Sequence, residues 1–168
     1  MQELYSGHGW RIVTEEASLP DGRIKKTARV YRCDSAHVLA FTKAGNVLMI
    51  REYRPFYKAF IWMVPSGKVD KEADPLTAAS RELREETGFS AAIIEPYFTS
   101  RHSEAQEQQN HFFQANTLKH DPLPQDATEL IEVHEMSVSE AIDRVLTSPV
   151  IHTESALALL RYAREHGL

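Results

Sequence analysis

The stretch GKVDKEADPLTAASRELREETGF, residues 67–89, sets acidic side chains densely between Gly67 and Gly88. Asp74 is suited to accept hydrogen bonds from free backbone amides, Pro75 has the φ of a first helical residue, and Gly88 readily forms a left-handed stop. A helix is therefore predicted from Pro75 to the residue before Gly88. Rotation of about 100° per residue puts Glu82, Glu85 and Glu86 on one face and Leu76, Ala79 and Leu83 on another. The apolar stripe can lie on a sheet while the three carboxylates converge beside it. Glu82 and Glu86 are like charges at i, i+4, which destabilises an isolated helix and is reversed by a bound divalent cation. Oxygen donors suit Mg²⁺ or Mn²⁺, and Mg²⁺ sites combine a few carboxylates with waters and substrate phosphates. The competing reading is a solvated helix face on which Arg81 and Arg84 pair with the acids.

The rest of the chain bounds what such a helix can serve. Its 168 residues suit one ordinary domain with at most a small appendage, and 42% hydrophobic with 26% charged residues is a globular composition. A net charge of -5 argues against general nucleic-acid binding, which needs a basic surface. Cys33 is the single cysteine, so no internal disulfide or cysteine-based zinc site is expected and a reducing compartment fits. The start MQELYSGHGW has no signal-peptide pattern, and the apolar run FIWMV is too short to span a bilayer. The expectation is a cytoplasmic protein with no membrane partner.

Two β-type segments between Trp10 and Cys33 flank the turn LPDGR and predict an antiparallel hairpin. HVLAF and VLMIREY, flanking residues 43–46, predict a second hairpin. Further strands are expected over residues 61–64, 92–99, 111–115 and 130–136. Ser137, with Glu140 three positions on, marks a capping box for a second helix carrying Ile142, Val145 and Leu146 inward. A third helix is expected from Thr153 to His166, with Ala156, Leu157, Leu159, Leu160 and Ala163 as its apolar stripe. Strands interrupted by three helices indicate an α/β or α+β sandwich.

Read as a whole, residues 67–89 resemble the Nudix box, G-x5-E-x7-R-E-U-x-E-E-x-G-U with U a bulky apolar residue. Gly67 takes the first position, Arg81-Glu82 the R-E pair, Leu83 the first bulky site, Glu85-Glu86 the E-E pair, and Gly88-Phe89 the close. One element departs: the first glutamate falls at residue 73, which is Ala73, between Glu72 and Asp74. Upstream, Glu52-Tyr53-Arg54 and the segment from Trp62 to Asp70 resemble the family's ADP-ribose and nucleoside-diphosphate-sugar pyrophosphatase branch. The C-terminal ELIEVHEMSVSEA is similar to that branch's E-x-I-E-V strand and following helix.

The resemblance implies an α/β fold, a Nudix-type α/β/α sandwich with a mixed sheet. A small N-terminal antiparallel β region over residues 1–36, used for homodimerisation, would precede a hydrolase domain over 37–168. It implies Mg²⁺ or Mn²⁺ held by Glu82, Glu85, Glu86 and the Ser66 carbonyl. Arg54 and, more weakly, Arg51 would contact phosphate, with exposed strand arginines as the alternative. Trp10 would stack on a substrate base from the partner subunit, with a half-buried core tryptophan as the alternative. Glu129 in DATELIEV best fits the general base, ahead of Glu132, which strand alternation makes an exposed side chain. Where the branch often carries Pro-Gly and a glutamate, this chain has Arg101-His102 and Gln108, and His102, Glu104 and Glu107 are further candidates or ordinary loop residues. The activity implied is hydrolysis of the pyrophosphate bond of ADP-ribose or a related nucleoside diphosphate sugar to a nucleoside monophosphate and a sugar phosphate. The alternatives are a non-catalytic sensor of a nucleotide metabolite, and a hydrolase of nucleoside triphosphates or dinucleoside polyphosphates.

Overall fold

The computed structural model describes residues 1–71 and 74–168. Glu72 and Ala73, where the chain leaves the box pattern, lie outside the described residues. In chain order the strands are β1 (Gln2–Gly7), β2 (Trp10–Ser18), β3 (Ile24–Arg32), β4 (Ser35–Ala40), β5 (Val47–Arg54), β6 (Ala59–Met63) and β7 (Ser66–Lys68). Helix α1 (Pro75–Thr87), strands β8 (Phe89–Ser103), β9 (Gln106–His120) and β10 (Ile131–Met136), and helices α2 (Val138–Leu146) and α3 (Thr153–His166) complete it.

The large sheet is mixed and runs β1-β2-β3-β9-β4-β7, with β8 on the other side of β9. β9 is antiparallel to β8 and parallel to both β3 and β4, meeting β3 near Gln106 and β4 from Asn110 to Ala115. The N-terminal ribbon of β1, β2 and β3 thus continues the same sheet. A small sheet, β10-β5-β6, stands beside it.

The predicted β2–β3 hairpin forms, closed by Gly22 N–H donating to the Leu19 carbonyl at 2.9 Å. The second predicted hairpin does not. Its arms, β4 and β5, belong to different sheets and touch through a single bridge, Phe41 to Val47. Burial gives the reason: every residue of β4 after Ser35 is buried. A strand covered on both faces and flanked by β9 and β7 is a central strand, and two apolar arms do not reveal that they diverge.

β4 divides the core. Ala36, Val38 and Ala40 face α1 with Ala78, Ala79 and Leu83, whereas Leu39 and Phe41 face α2 and α3 with Ala141, Val145 and Leu159. This gives the helix–sheet–helix layering expected of an α/β/α sandwich. Asp74 accepts from the Leu76 and Thr77 amides and Gly88 closes α1 at φ 78°, as the capping residues predict. The apolar stripes shift in detail. Leu76, Leu146, Leu157 and Leu160 are exposed, and the smaller Ala78, Ala141, Ser155 and Ala158 take the buried positions. Small side chains let helices approach a sheet closely, so hydrophobicity alone misplaces the stripe.

Leu83 is fully buried between α1 and β4. Leu83→Ala is expected to lower stability by about 2–5 kcal/mol through lost burial and a residual cavity. Urea denaturation should show this as a lower midpoint at unchanged m-value.

Candidate active site

The acidic helix meets β7 at successive residues of the strand. The Ser66 amide donates to Glu86 Oε2 at 2.7 Å. At the next residue, a Cβ added to Gly67 would stand 2.0 Å from Glu82 Cδ and Oε1. Gly67 therefore keeps the Glu82 carboxylate in place, because any larger residue would push the end of that side chain aside.

The competing reading, a solvated acidic face, does not hold for Glu82 and Glu86. Glu86 is buried at 7% exposure, and Glu82 is nearly so. Arg81 Nη1 lies 2.8 Å from Glu82 Oε1 and 2.6 Å from Glu85 Oε2, while its Nη2 donates to the Lys68 carbonyl. A cavity of about 570 Å³ opens along these groups and continues past Ser66 to β4, β9 and the start of α3.

Glu52 joins them from β5. It is buried at 4% exposure, and its Oε2 is 2.8 Å from Arg54 Nη2. Glu129 comes from the loop before β10, where Asp126 Oδ1 accepts from Thr128 N and Oγ1 and the Tyr53 amide donates to the Leu130 carbonyl. Glu52, Arg54, Ser66, Glu82, Glu85, Glu86 and Glu129 thus share one cavity.

The carboxyls are electrostatically unfavourable as a set. Burial raises the Glu86 pKa well above the ordinary carboxylate range, against the Ser66 hydrogen bond, and Glu82, Glu52 and Glu129 push it further. Burial also raises Glu82, opposed by Arg81 and reinforced by Glu85 and Glu129. Glu52 is raised by burial against Arg54, with Glu129 adding repulsion. Glu129, although exposed, is raised by the surrounding protein and by Asp126, against Arg54 and Lys71. What the set lacks is positive charge, and its donors are hard oxygens, so its chemistry fits a divalent cation such as Mg²⁺. Among the described residues no three His, Cys, Asp or Glu groups already stand at ligand spacing, since Arg81 and Ser66 draw the carboxylates to separate donors.

The other expected residues separate by strand alternation. Glu52 and Arg54 face the cavity, whereas Arg51 points to the opposite face of β5, where Nη1 pairs with Glu132 Oε2 at 2.9 Å. Arg51 is therefore removed from the phosphate candidates of this cavity, and Glu132 is its partner. Trp10 is exposed at 41%, and the Arg32 guanidinium lies 4.2 Å from its ring centroid. Arg32 lines the cavity, so Trp10 stands one side chain from the cavity of its own chain. Glu104 pairs with Lys25, and Glu107 with Arg29 and Arg101, in surface contacts away from the carboxylates. His102 reaches the cavity wall beside Glu154.

Sequence reasoning missed Glu52, His37, His152 and Glu154. An acid immediately after VLMIR, two positions before Arg54, is a signal for Glu52, since it stands in an otherwise apolar strand. His37 and His152 carry no such signal, because they meet only when α3 folds over β4.

A model of the NUDIX domain matches residues 31–154. The chain is 29% identical over 163 residues to the ADP-ribose pyrophosphatase of Bacillus subtilis (strain 168), covering 94% of this chain and 87% of that one. It is 25% identical over 161 residues to the methanol dehydrogenase activator of Bacillus methanolicus, again covering 94% and 87%. A solved structure described as an ADP compounds hydrolase matches with a TM-score of 0.77 at 18% identity, covering 99% of this chain and 92% of that one, which shows the shared fold.

Two outcomes follow from the packing of the carboxylates. In Gly67→Ala the new methyl displaces the flexible end of Glu82, so the fold should persist with little change in Tm while activity falls about 10- to 100-fold. Carboxyls whose folded-state pKa lies above the unfolded value bind more protons in the folded chain. Stability therefore falls as pH rises from the ordinary carboxylate range through the raised values. In chelator, Tm should fall over that window, and Glu86→Gln should flatten the dependence.

Proposed function

Because the chain belongs to the NUDIX family, we propose that it hydrolyses the pyrophosphate bond of ADP-ribose or a related nucleoside diphosphate sugar, with Mg²⁺ or Mn²⁺. The observation that carries this is the convergence of Glu82, Glu86, Glu52 and Glu129 with Arg54 in one cavity. The similarity to the B. subtilis ADP-ribose pyrophosphatase over nearly the whole chain supports the substrate class.

Glu82, Glu85 and Glu86, with the Ser66 carbonyl, would hold the cation. A cation bound there supplies Lewis acidity towards phosphate oxygen and lowers the pKa of a bound water. Arg54 offers a planar guanidinium to orient a phosphate. Glu129 takes the proton of the attacking water, a role that its raised pKa suits because a more basic carboxylate is the better acceptor. Water adds to one phosphorus, the bridging P–O bond breaks, and a nucleoside monophosphate and a sugar phosphate leave.

The proposal extends to a cytoplasmic homodimer associating through residues 1–36, with no nucleic-acid or membrane partner. The dimer is supported by β1, an edge strand whose Leu4 and Tyr5 are exposed. Light scattering on the intact chain, compared with Tyr5→Lys, tests it.

The deciding experiment is a panel of ADP-ribose, nucleotide sugars, nucleoside triphosphates and dinucleoside polyphosphates with Mg²⁺ or Mn²⁺, products resolved by chromatography. Glu82→Gln and Glu86→Gln are each expected to lower kcat by at least about 100-fold. Tm should be held or raised in Glu86→Gln, because a buried repelling charge is removed. Near-normal turnover in both variants would overturn the assignment of these glutamates. Tight nucleotide binding without any turnover would replace the hydrolase with a metabolite sensor.

A further inference from the structure

The end of the cavity built by β4, β9 and the start of α3 has a different chemistry. His37, His152, Thr153 and Glu154 line it, with Ser35 and Asn110 below. Among its described lining residues there is no Phe, Tyr or Trp, so nothing there presents a full aromatic face to a nucleobase. Glu154 places a negative charge at this end, which disfavours phosphate.

The hydrogen bonds define what remains free. Ser35 Oγ donates to Asn110 Oδ1 at 2.8 Å, so its oxygen accepts from His37 Nε2, also at 2.8 Å. His37 Nδ1 is then a bare acceptor, and it is buried with no partner on a side chain only 4% exposed. An unmet buried acceptor of this kind is costly unless a ligand or water reaches it. Burial, with His152 and His111 nearby, pushes the His37 pKa down to about 3, keeping the ring neutral.

His152 is oriented from behind. The Ser155 hydroxyl oxygen accepts the Val64 amide at 2.9 Å, and among the described contacts the acceptor its proton meets is His152 Nδ1 at 2.7 Å, which favours that direction. The proton of His152 is thereby placed on Nε2, which stands 3.7 Å from Glu154 Oε2. Glu154 Oε1 is likewise 3.7 Å from His102 Nδ1. Both gaps exceed a hydrogen bond, and among the described residues Glu154 Oε2 accepts only from the Thr153 hydroxyl at 3.0 Å, which leaves Oε1 open. An unmet acceptor, an N–H donor and a carboxylate thus stand at one end of the cavity. Neighbouring hydroxyl groups match this set, since each both donates and accepts.

We propose that His37, His152 and Glu154 form a polyol subsite that takes the hydroxyl groups of the substrate's non-nucleotide sugar. This rests on the hydrolase reading for the substrate's identity, although the binding itself requires no chemistry. Glu154 accepts from a sugar hydroxyl, His152 Nε2–H donates to one, and His37 Nδ1, which has no open surface, accepts from a bound water behind them. Glu154 is a specificity residue and touches no phosphate.

The test compares ADP-ribose with the β-methyl ester of ADP, which has the same diphosphate charge and no second sugar. Binding is measured by calorimetry in EDTA, where hydrolysis is arrested, on the intact chain and on Glu154→Gln and Glu154→Ala. The intact chain should prefer ADP-ribose. Each variant should lose about ten-fold in ADP-ribose affinity, the size of one charge-assisted hydrogen bond, with methyl ester affinity unchanged. Equal loss for both ligands, no loss for either, or no preference or binding in the intact chain overturns the subsite. Intact preference with no turnover in Mg²⁺ would instead overturn the hydrolase reading and leave the subsite standing.

Discussion

The burial of the Glu86 carboxylate against the Ser66 amide is the interaction on which the site depends. It fixes the last turn of α1 to β7 at 2.7 Å. Once that distance is set, the neighbouring residue of β7 meets the Glu82 carboxylate, and only glycine leaves that carboxylate where it stands. The helix cannot rise from the sheet without losing the hydrogen bond. Nor can it settle closer without driving Glu82 into the strand. A buried acid with one backbone donor is a poor source of stability, so its position has to be maintained by the apolar contacts of Ala78, Ala79 and Leu83 on the same helix.

The same arrangement concentrates negative charge. Glu52 enters from β5 because alternation turns it and Arg54 towards α1, and it turns Arg51 away to Glu132. Glu129 enters from a loop tied to β5 through the Leu130 carbonyl. Three elements distant in sequence thereby deliver carboxylates to one cavity, where cations such as Arg54 and Arg81 only partly oppose them. The strain is electrostatic and local, and it is the property that suits the cavity to a cation and a polyphosphate.

Much of the fold was legible beforehand because it depends on local chemistry. The α1 boundaries followed from Asp74, Pro75 and Gly88, the β2–β3 hairpin from its turn, and the α2 start from Ser137, whose Oγ accepts the Glu140 amide. Failures arose where pairing is non-local. HVLAF and VLMIREY read as partners because both are apolar and a turn joins them. β4 instead pairs with β9, 75 positions away, and with β7, about thirty positions away. Leucine positions on α1, α2 and α3 were likewise misjudged where close packing favoured alanine and serine.

By itself the sequence determined the acidic helix, its caps, the spacing that puts Glu82, Glu85 and Glu86 on one face, and the family to which they point. These are short-range properties, set by backbone geometry and by residues a few positions apart. The tertiary structure alone decided that this face is buried, that Glu52 belongs to it and Arg51 does not, and that His37 and His152 face one cavity with Glu154. Those outcomes depend on which strand lies beside which and on which face a helix covers. Periodicity specifies a face but not the neighbour it will meet.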